Sequence, residues 1–303
     1  MVHSPVLLSE VIDFLVSAPG KHYIDATVGE GGHAKAILEK TAPSGILLGI
    51  DRDGDQIQRA KENLLAFGKR VVLRKGSFGG LKMIAYGITK NNVWNGILFD
   101  LGWSLMQKER SGRGFTFQSD EPLDMRYEAM SKEENALTAT KILNEWKEND
   151  IETMLMQYSK EHFAKAIARA IITTRRKVPI RTTLELVSII KGATPVWYHH
   201  RRIHLAAKTF QALRIAVNRE FEEIQKGLED SIDLLSEKGR LVVISFHSGE
   251  DRMVKNMFKK FAHEGHGIIV TKKPVTPSFE ERQGNPHCRS AKLRVFEFFS
   301  SSA

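Results

Sequence analysis

The stretch Tyr23-Ile24-Asp25-Ala26-Thr27-Val28-Gly29-Glu30-Gly31-Gly32-His33 constrains this chain more than any other. A short apolar run ends at Asp25, glycines crowd the positions from Gly29 to Gly32, and apolar residues return at Ala34, Ile37 and Leu38 with the spacing of a helix's buried face. That order predicts a strand, a tight turn and a helix. Glycine suits such a turn because its backbone angles exclude side chains and because a ligand can then approach the main chain closely. A nucleotide or nucleoside fits there, and so does an ordinary strand-to-helix turn with no ligand.

The following segments narrow the choice. Ile46-Leu47-Leu48-Gly49-Ile50 reads as a second buried strand ending in Asp51, at the roughly twenty-residue spacing from which an acid accepts hydrogen bonds from ribose hydroxyls. NAD and S-adenosylmethionine both present a ribose to such an acid, so this pairing does not separate them. Gly96-Ile97-Leu98-Phe99-Asp100 is a further strand with a carboxylate at its C-terminal end, followed by Leu101-Gly102-Trp103. Ligands and chemistry collect at the carboxyl ends of strands in open α/β sheets, and an acid there suits methyl transfer to an amine better than hydride transfer.

A chain of 303 residues exceeds the usual single-domain size, so one domain with an insertion, or two domains, is expected. No apolar run approaches the roughly 20 residues of a membrane span, and Met1-Val2-His3-Ser4-Pro5 lacks a signal peptide's basic start and apolar core. Cys288 is the single cysteine, which excludes an internal disulfide and points to a reducing cytoplasm. The net charge is +9, and residues 160–210 hold eleven Lys or Arg against Glu161 and Glu185, so the excess lies in that segment and the remainder is neutral. Charge so concentrated reads as the footprint of a polyanion.

Along the chain, Pro5 to Leu15 predicts a leading helix, and Ile57, Ala60, Leu64 and Leu65 mark another, closed by Gly68. Val71-Val72-Leu73 is a third strand, and Ser77 caps the helix of Leu81, Ile84 and Ala85. Strand-helix units in this succession imply a parallel, doubly wound sheet. Gln107 to Pro122 is polar and glycine-rich, the mark of a functional loop, and Glu133 to Lys191 reads as helical. Its stripe Phe163, Ala164, Ile167, Ala168, Ile171 and Ile172 leaves Lys165, Arg169, Arg175, Arg176 and Lys177 off the buried face or just beyond it. After one helix from Leu205 to Leu228, the strands Leu241–Ile244, Ile268–Val270 and Leu293–Phe298 resume the sheet, and Ser248 with Asp251 has capping-box spacing. The domain expectation is therefore a discontinuous sheet domain, residues 1–106 and 206–303, interrupted by a basic helical domain of residues 107–205 suited to a polyanion.

Asp25 to His33, Asp51-Arg52-Asp53, Asp100-Leu101-Gly102, Arg113-Gly114-Phe115-Thr116-Phe117, Pro122-Leu123-Asp124-Met125-Arg126, Lys208 to Ile215, Ile244 to Arg252 and Arg289 to Arg294 run in an order that resembles the RsmH, or MraW, family over essentially the whole chain. The resemblance implies a class I methyltransferase fold, Rossmann-like with a mostly parallel sheet and an inserted helical domain. It also implies S-adenosylmethionine as cofactor and the exocyclic N4 of a cytidine in 16S ribosomal RNA of the small ribosomal subunit as methyl acceptor. By motif, Gly31, Gly32 and His33 would line the methionine side of the cofactor, Asp51 would hold its ribose, Phe78 would lie beside the adenine, and Asp100 and Gln107 would complete the pocket.

Asp100 is the catalytic candidate, because the cytosine amine is a poor nucleophile that must be oriented and relieved of a proton. Trp103, Arg113, Arg214, Asn218 and His247 are candidates for contact with the target nucleotide, and Arg175, Arg176 and Lys177 for phosphates. A flipped cytosine would stack on Trp103. The sequence departs from the family pattern at Trp103-Ser104-Leu105, at Gly249 in place of a usual leucine, and at His287-Cys288. Ser245 and His247 lack a nucleophile elbow, His263-Glu264-Gly265-His266 lacks zinc-motif spacing, and His199, His200 and His204 sit beside Arg201 and Arg202 as part of the basic surface, so no metal is expected. A homodimer is compatible with the sequence. The rival readings are an NAD-linked oxidoreductase and a non-catalytic RNA-binding or assembly protein on a methyltransferase fold.

Overall fold

The structure is a computed structural model that describes residues 5–101, 111–127 and 136–299; Gln107 and the Trp103-Ser104-Leu105 departure lie outside the described residues, as does the side chain of His287. The chain divides into two compact units, Met1–Gly102 with Phe221–Ala303, and Trp103–Glu220.

The first unit is built on a seven-stranded sheet in the order β3-β2-β1-β4-β5-β7-β6. Its strands are β1 (Tyr23–Asp25), β2 (Leu47–Asp51), β3 (Val71–Lys75), β4 (Trp94–Asp100), β5 (Leu235–Ser245), β6 (Gly267–Ile269) and β7 (Lys292–Phe298). The pairs from β3 across to β5 are parallel, while β7 runs antiparallel to both β5 and β6. Buried parallel strands carry continuous apolar runs, which is why Leu48, Ile50, Ile97, Leu98 and Phe99 are fully buried. The early helices are α1 (Leu8–Leu15), α2 (Gly32–Lys40), α3 (Gly54–Asn63) and α4 (Leu81–Ala85). Two apolar layers sandwich the sheet, one around Trp94, Ile97, Phe99 and Phe258, the other around Leu15, Tyr23, Ile37, Leu98 and Val295. Each such large side chain contributes roughly 1.5–3 kcal/mol on full burial.

The second unit is helical, with α5 (Ala139–Glu145), α6 (Glu148–Ser159), α7 (Ala164–Arg175), α8 (Thr183–Ala193), α9 (Val196–His199) and α10 (Ala207–Asn218). Its core includes Leu143, Leu155, Ile167, Ile171, Ile190 and Leu213. The second unit extends past the expected boundary at residue 205, since α10 sends Phe210, Leu213 and Val217 into this helical core. The single helix expected from Leu205 to Leu228 is two: Arg219 adopts a left-handed conformation (φ 50°), and α11 (Glu220–Leu234) starts afresh. The remaining helices, α12 (Ser248–His263) and α13 (Phe279–Gly284), return to the sheet unit.

The capping box of α12 lies one residue earlier than its spacing suggests. His247 is the N-cap and Glu250 the N3 partner, which releases Asp251 to bond Arg294 at 2.7 Å and Lys292 at 3.1 Å. Burial works against a charge on Asp251, but the bonds from Arg294 and Lys292 prevail and hold its carboxyl below the ordinary range. Gly249, which departs from the usual leucine, has a packing reason: a Cβ there would lie 2.9 Å from Phe221 Cζ. Cys288 is a buried core residue.

Candidate active site

In the order β3-β2-β1-β4 the chain proceeds to one side of β1 and then crosses to the other, so β1 and β4 flank a switch point whose crevice lies at their carboxyl ends. The glycine turn leaves β1 at this crevice, and Asp100 ends β4 beside it. Gly29 (φ 51°) and Gly31 (φ 91°) take left-handed angles, which a side chain disfavours; Gly31 is the N-cap of α2.

Asp51 is seated by main-chain donors. The Gly29 N–H donates to its Oδ2 at 3.0 Å and the Asp53 N–H to its Oδ1 at 2.9 Å. Burial holds its pKa above the ordinary value despite these bonds. Asp25 is only 1% exposed, and burial pushes its carboxyl up to about 7; the Thr27 N–H bond opposes that rise and the charge of Asp51 adds to it. Asp25 joins the site beyond the residues expected from sequence; its signal there is a carboxylate closing a buried apolar strand.

His33 and Asp100 come together. The His33 Nε2 is 2.9 Å from the Val6 carbonyl oxygen, which can only accept, so Nε2 carries the proton. Nδ1, the other ring nitrogen, stands 3.8 Å from Asp100 Oδ2. The main chain of Asp100 is fixed by its N–H, which donates to Thr27 Oγ1 at 2.6 Å. Phe78 follows Ser77, the cap of a short turn at the end of β3. Its ring meets Phe99 edge-on with centroids 5.6 Å apart, and the Arg52 guanidinium lies 6.0 Å from its centroid.

This donor set fits a nucleoside cofactor. A carboxylate held at the end of β2, an aromatic ring at the end of β3 and a left-handed glycine turn after β1 supply, in order, a ribose acceptor, a stacking wall and close main-chain approach.

The remaining candidates have defined places. In the helical unit the Arg113 Nη1 donates to the carbonyls of Arg126 and Tyr127, both at 2.8 Å, and the guanidinium packs on Phe115. Asn218 brackets the same loop, accepting from the Tyr127 N–H and donating to the Met125 carbonyl, each at 2.8 Å. Arg214 pairs with Glu220 at 2.7 and 3.0 Å. These residues thus hold one loop and a helix junction. Arg175 is half-buried and donates to the Leu143 carbonyl at 2.9 Å, so it pins α7 to α5, whereas Arg176 and Lys177 are exposed. In the sheet unit, the His247 Nδ1 accepts from the Gly249 and Glu250 N–H groups as the cap of α12.

A sheet in this strand order, with acids closing β1, β2 and β4 around a glycine turn, defines a class I methyltransferase. The chain belongs to the MraW methylase family, whose model matches residues 1–299. It is 44% identical over 293 residues to the ribosomal RNA small subunit methyltransferase H of Persephonella marina, covering 97% of this chain and 98% of that one. The corresponding protein of Sulfurihydrogenibium sp. is also 44% identical, over 97% and 98% of the two chains. That of Syntrophus aciditrophicus is 39% identical over 97% of each. The cofactor of this enzyme is S-adenosylmethionine.

Proposed function

We propose that this enzyme methylates the exocyclic N4 amine of a cytidine in 16S ribosomal RNA of the small subunit. The names of its relatives support the RNA, and the observation that carries the chemistry is the carboxylate of Asp100 at the end of β4, 3.8 Å from an imidazole nitrogen. S-adenosylmethionine supplies a methyl group activated on a sulfonium. The chain's own residues must then orient the amine and remove its proton, since its lone pair is delocalised into the ring. Asp100 Oδ2 is placed at the end of β4 to take that proton, with the His33 imidazole beside it.

The helical unit is the RNA-docking part. An open groove between α7 and α8 is floored by small residues, Ala166, Ala170 and Gly192 among them, and is lined by Lys165, Arg169, Thr173 and Ser188. The nearby acids are engaged internally: Glu161 is buried against the Tyr198 hydroxyl and Glu185 caps α8. The groove is therefore cationic, with the Ser188 hydroxyl on its wall, the combination that tracks a phosphodiester backbone. Labelled S-adenosylmethionine incubated with unmodified small subunits tests the proposal. The expected label, after digestion of the RNA, migrates with N4-methylcytidine; label in another nucleoside, or none, contradicts it.

A further inference from the structure

We infer that Glu223 is a positioning residue of the cofactor pocket, tying the ribose-side turn after β2 to the adenine-side turn after β3. The inference rests on Asp51 and Phe78 facing the nucleoside. Glu223 lies in the first turn of α11. Its Oε2 is 2.5 Å from the Arg52 guanidinium and accepts a hydrogen bond from the Ser77 hydroxyl. Arg52 also donates to Ser77 Oγ at 2.5 Å, so three side chains from three segments close a triangle. Arg52 directly follows the ribose acid, and Ser77 directly precedes the adenine-side ring.

Two further observations show that the contact is built in. A Cβ on Gly79 would stand 2.3 Å from Glu223 Oε2, so the turn has no side chain where the carboxylate sits. One helical turn on, a Cβ on Gly227 would stand 3.0 Å from the Phe78 carbonyl oxygen. Residues four apart share a helix face, so α11 presents one surface against the turn that carries Phe78. The backbone already links the two turns through the Gly76 N–H, which donates to the Asp51 carbonyl at 2.8 Å. Glu223 adds the charge that keeps the Arg52 guanidinium on the Ser77 side. Without it, Arg52 is one residue from Asp51 and becomes a competitor for the carboxylate that the ribose needs.

Titration calorimetry with S-adenosylhomocysteine and with methylthioadenosine, which lacks the amino-acid end, tests this on the full chain. Glu223→Gln should weaken both ligands in parallel by about tenfold, the effect of losing a charge-assisted bond. Glu222→Gln, in the same helical turn but exposed, should weaken neither. Adding Arg52→Gln to Glu223→Gln should recover most of the lost affinity, because the released cation is gone; a purely structural role of Glu223 predicts no such rescue. Should Glu223→Gln fold poorly, Ser77→Ala replaces it and should weaken both ligands severalfold. Unchanged affinity in Glu223→Gln, loss confined to S-adenosylhomocysteine, or failure of the double variant to recover would each overturn the inference. Asp51→Ala separates the levels: if it binds like the parent, the pocket assignment itself fails, whereas weak binding by Asp51→Ala with normal binding by Glu223→Gln overturns the role of Glu223 alone.

Discussion

Asp25→Asn should stabilise the cofactor-free protein, and by an amount that grows with pH. Asparagine keeps the size of the side chain and an oxygen for the Thr27 N–H bond at 3.2 Å, so the change removes little but the ionisation. Burial raises the carboxyl of Asp25 from 3.8 to about 7. For an acid raised in this way the unfolded chain binds fewer protons than the folded one, so stability falls as pH rises from the unfolded value and levels off above the folded one. A rise of about three units at 1.36 kcal/mol each makes the ionised form cost roughly 4 kcal/mol above neutral pH. About half of that is already present near pH 5.5. Urea denaturation of parent and variant at about pH 5.5 and about pH 8 measures the difference. The variant's advantage should be roughly 2 kcal/mol larger at the higher pH. An advantage equal at both values, or a less stable variant at the higher one, refutes the reasoning.

Two other outcomes follow from the same physical chemistry. Asp251→Ala leaves the buried Arg294 without its bonded carboxylate and should cost roughly 3 kcal/mol in urea denaturation; a loss below about 1 kcal/mol would place that network among exposed pairs. Lys165→Ala and Arg169→Ala should each reduce RNA affinity and lower the slope of log affinity against log salt by roughly 0.7, while Arg175→Ala should lower the melting temperature and leave that slope unchanged, because its guanidinium holds a helix carbonyl.

Where sequence and structure agree, the reason is local. The central strands are buried on both faces and the glycine turn needs special backbone angles, so Ile24, Leu48 and Leu98 lie within readable apolar runs and Gly29 and Gly31 mark the turn. Asp51 and Asp100 were legible because each closes such a run. What escaped depended on partners distant in sequence. Arg219 interrupts a sequence that keeps its helical periodicity on both sides, and nothing in the residue itself announces a left-handed angle. Arg175 shares its charge with its neighbours Arg176 and Lys177, yet it bonds to Leu143, a partner no run of basic residues reveals. Arg214 and Asn218 share a polar stripe of α10 that resembles a ligand face, but its bonds hold the loop at Met125 and Tyr127 and the start of α11. Three-residue spacing fits a cap from Ser248 to Asp251 as well as from His247 to Glu250; only the positions of Arg294 and Lys292 distinguish the two frames. Glu223 meets Ser77 across 146 positions, so its contact belongs to the tertiary fold alone.

The proposed role of Asp100 as acceptor of the cytosine amine's proton is tested most directly by single-turnover methylation of unmodified small subunits by Asp100→Asn. Asparagine retains one acceptor oxygen and the Thr27 contact made by the main chain, but loses the negative charge. With S-adenosylhomocysteine affinity measured in parallel, the single-turnover rate should fall by roughly 100-fold or more, the range of a general base, while binding changes by less than about tenfold. A near-normal rate with intact binding would contradict the assignment and move the proton acceptor away from Asp100.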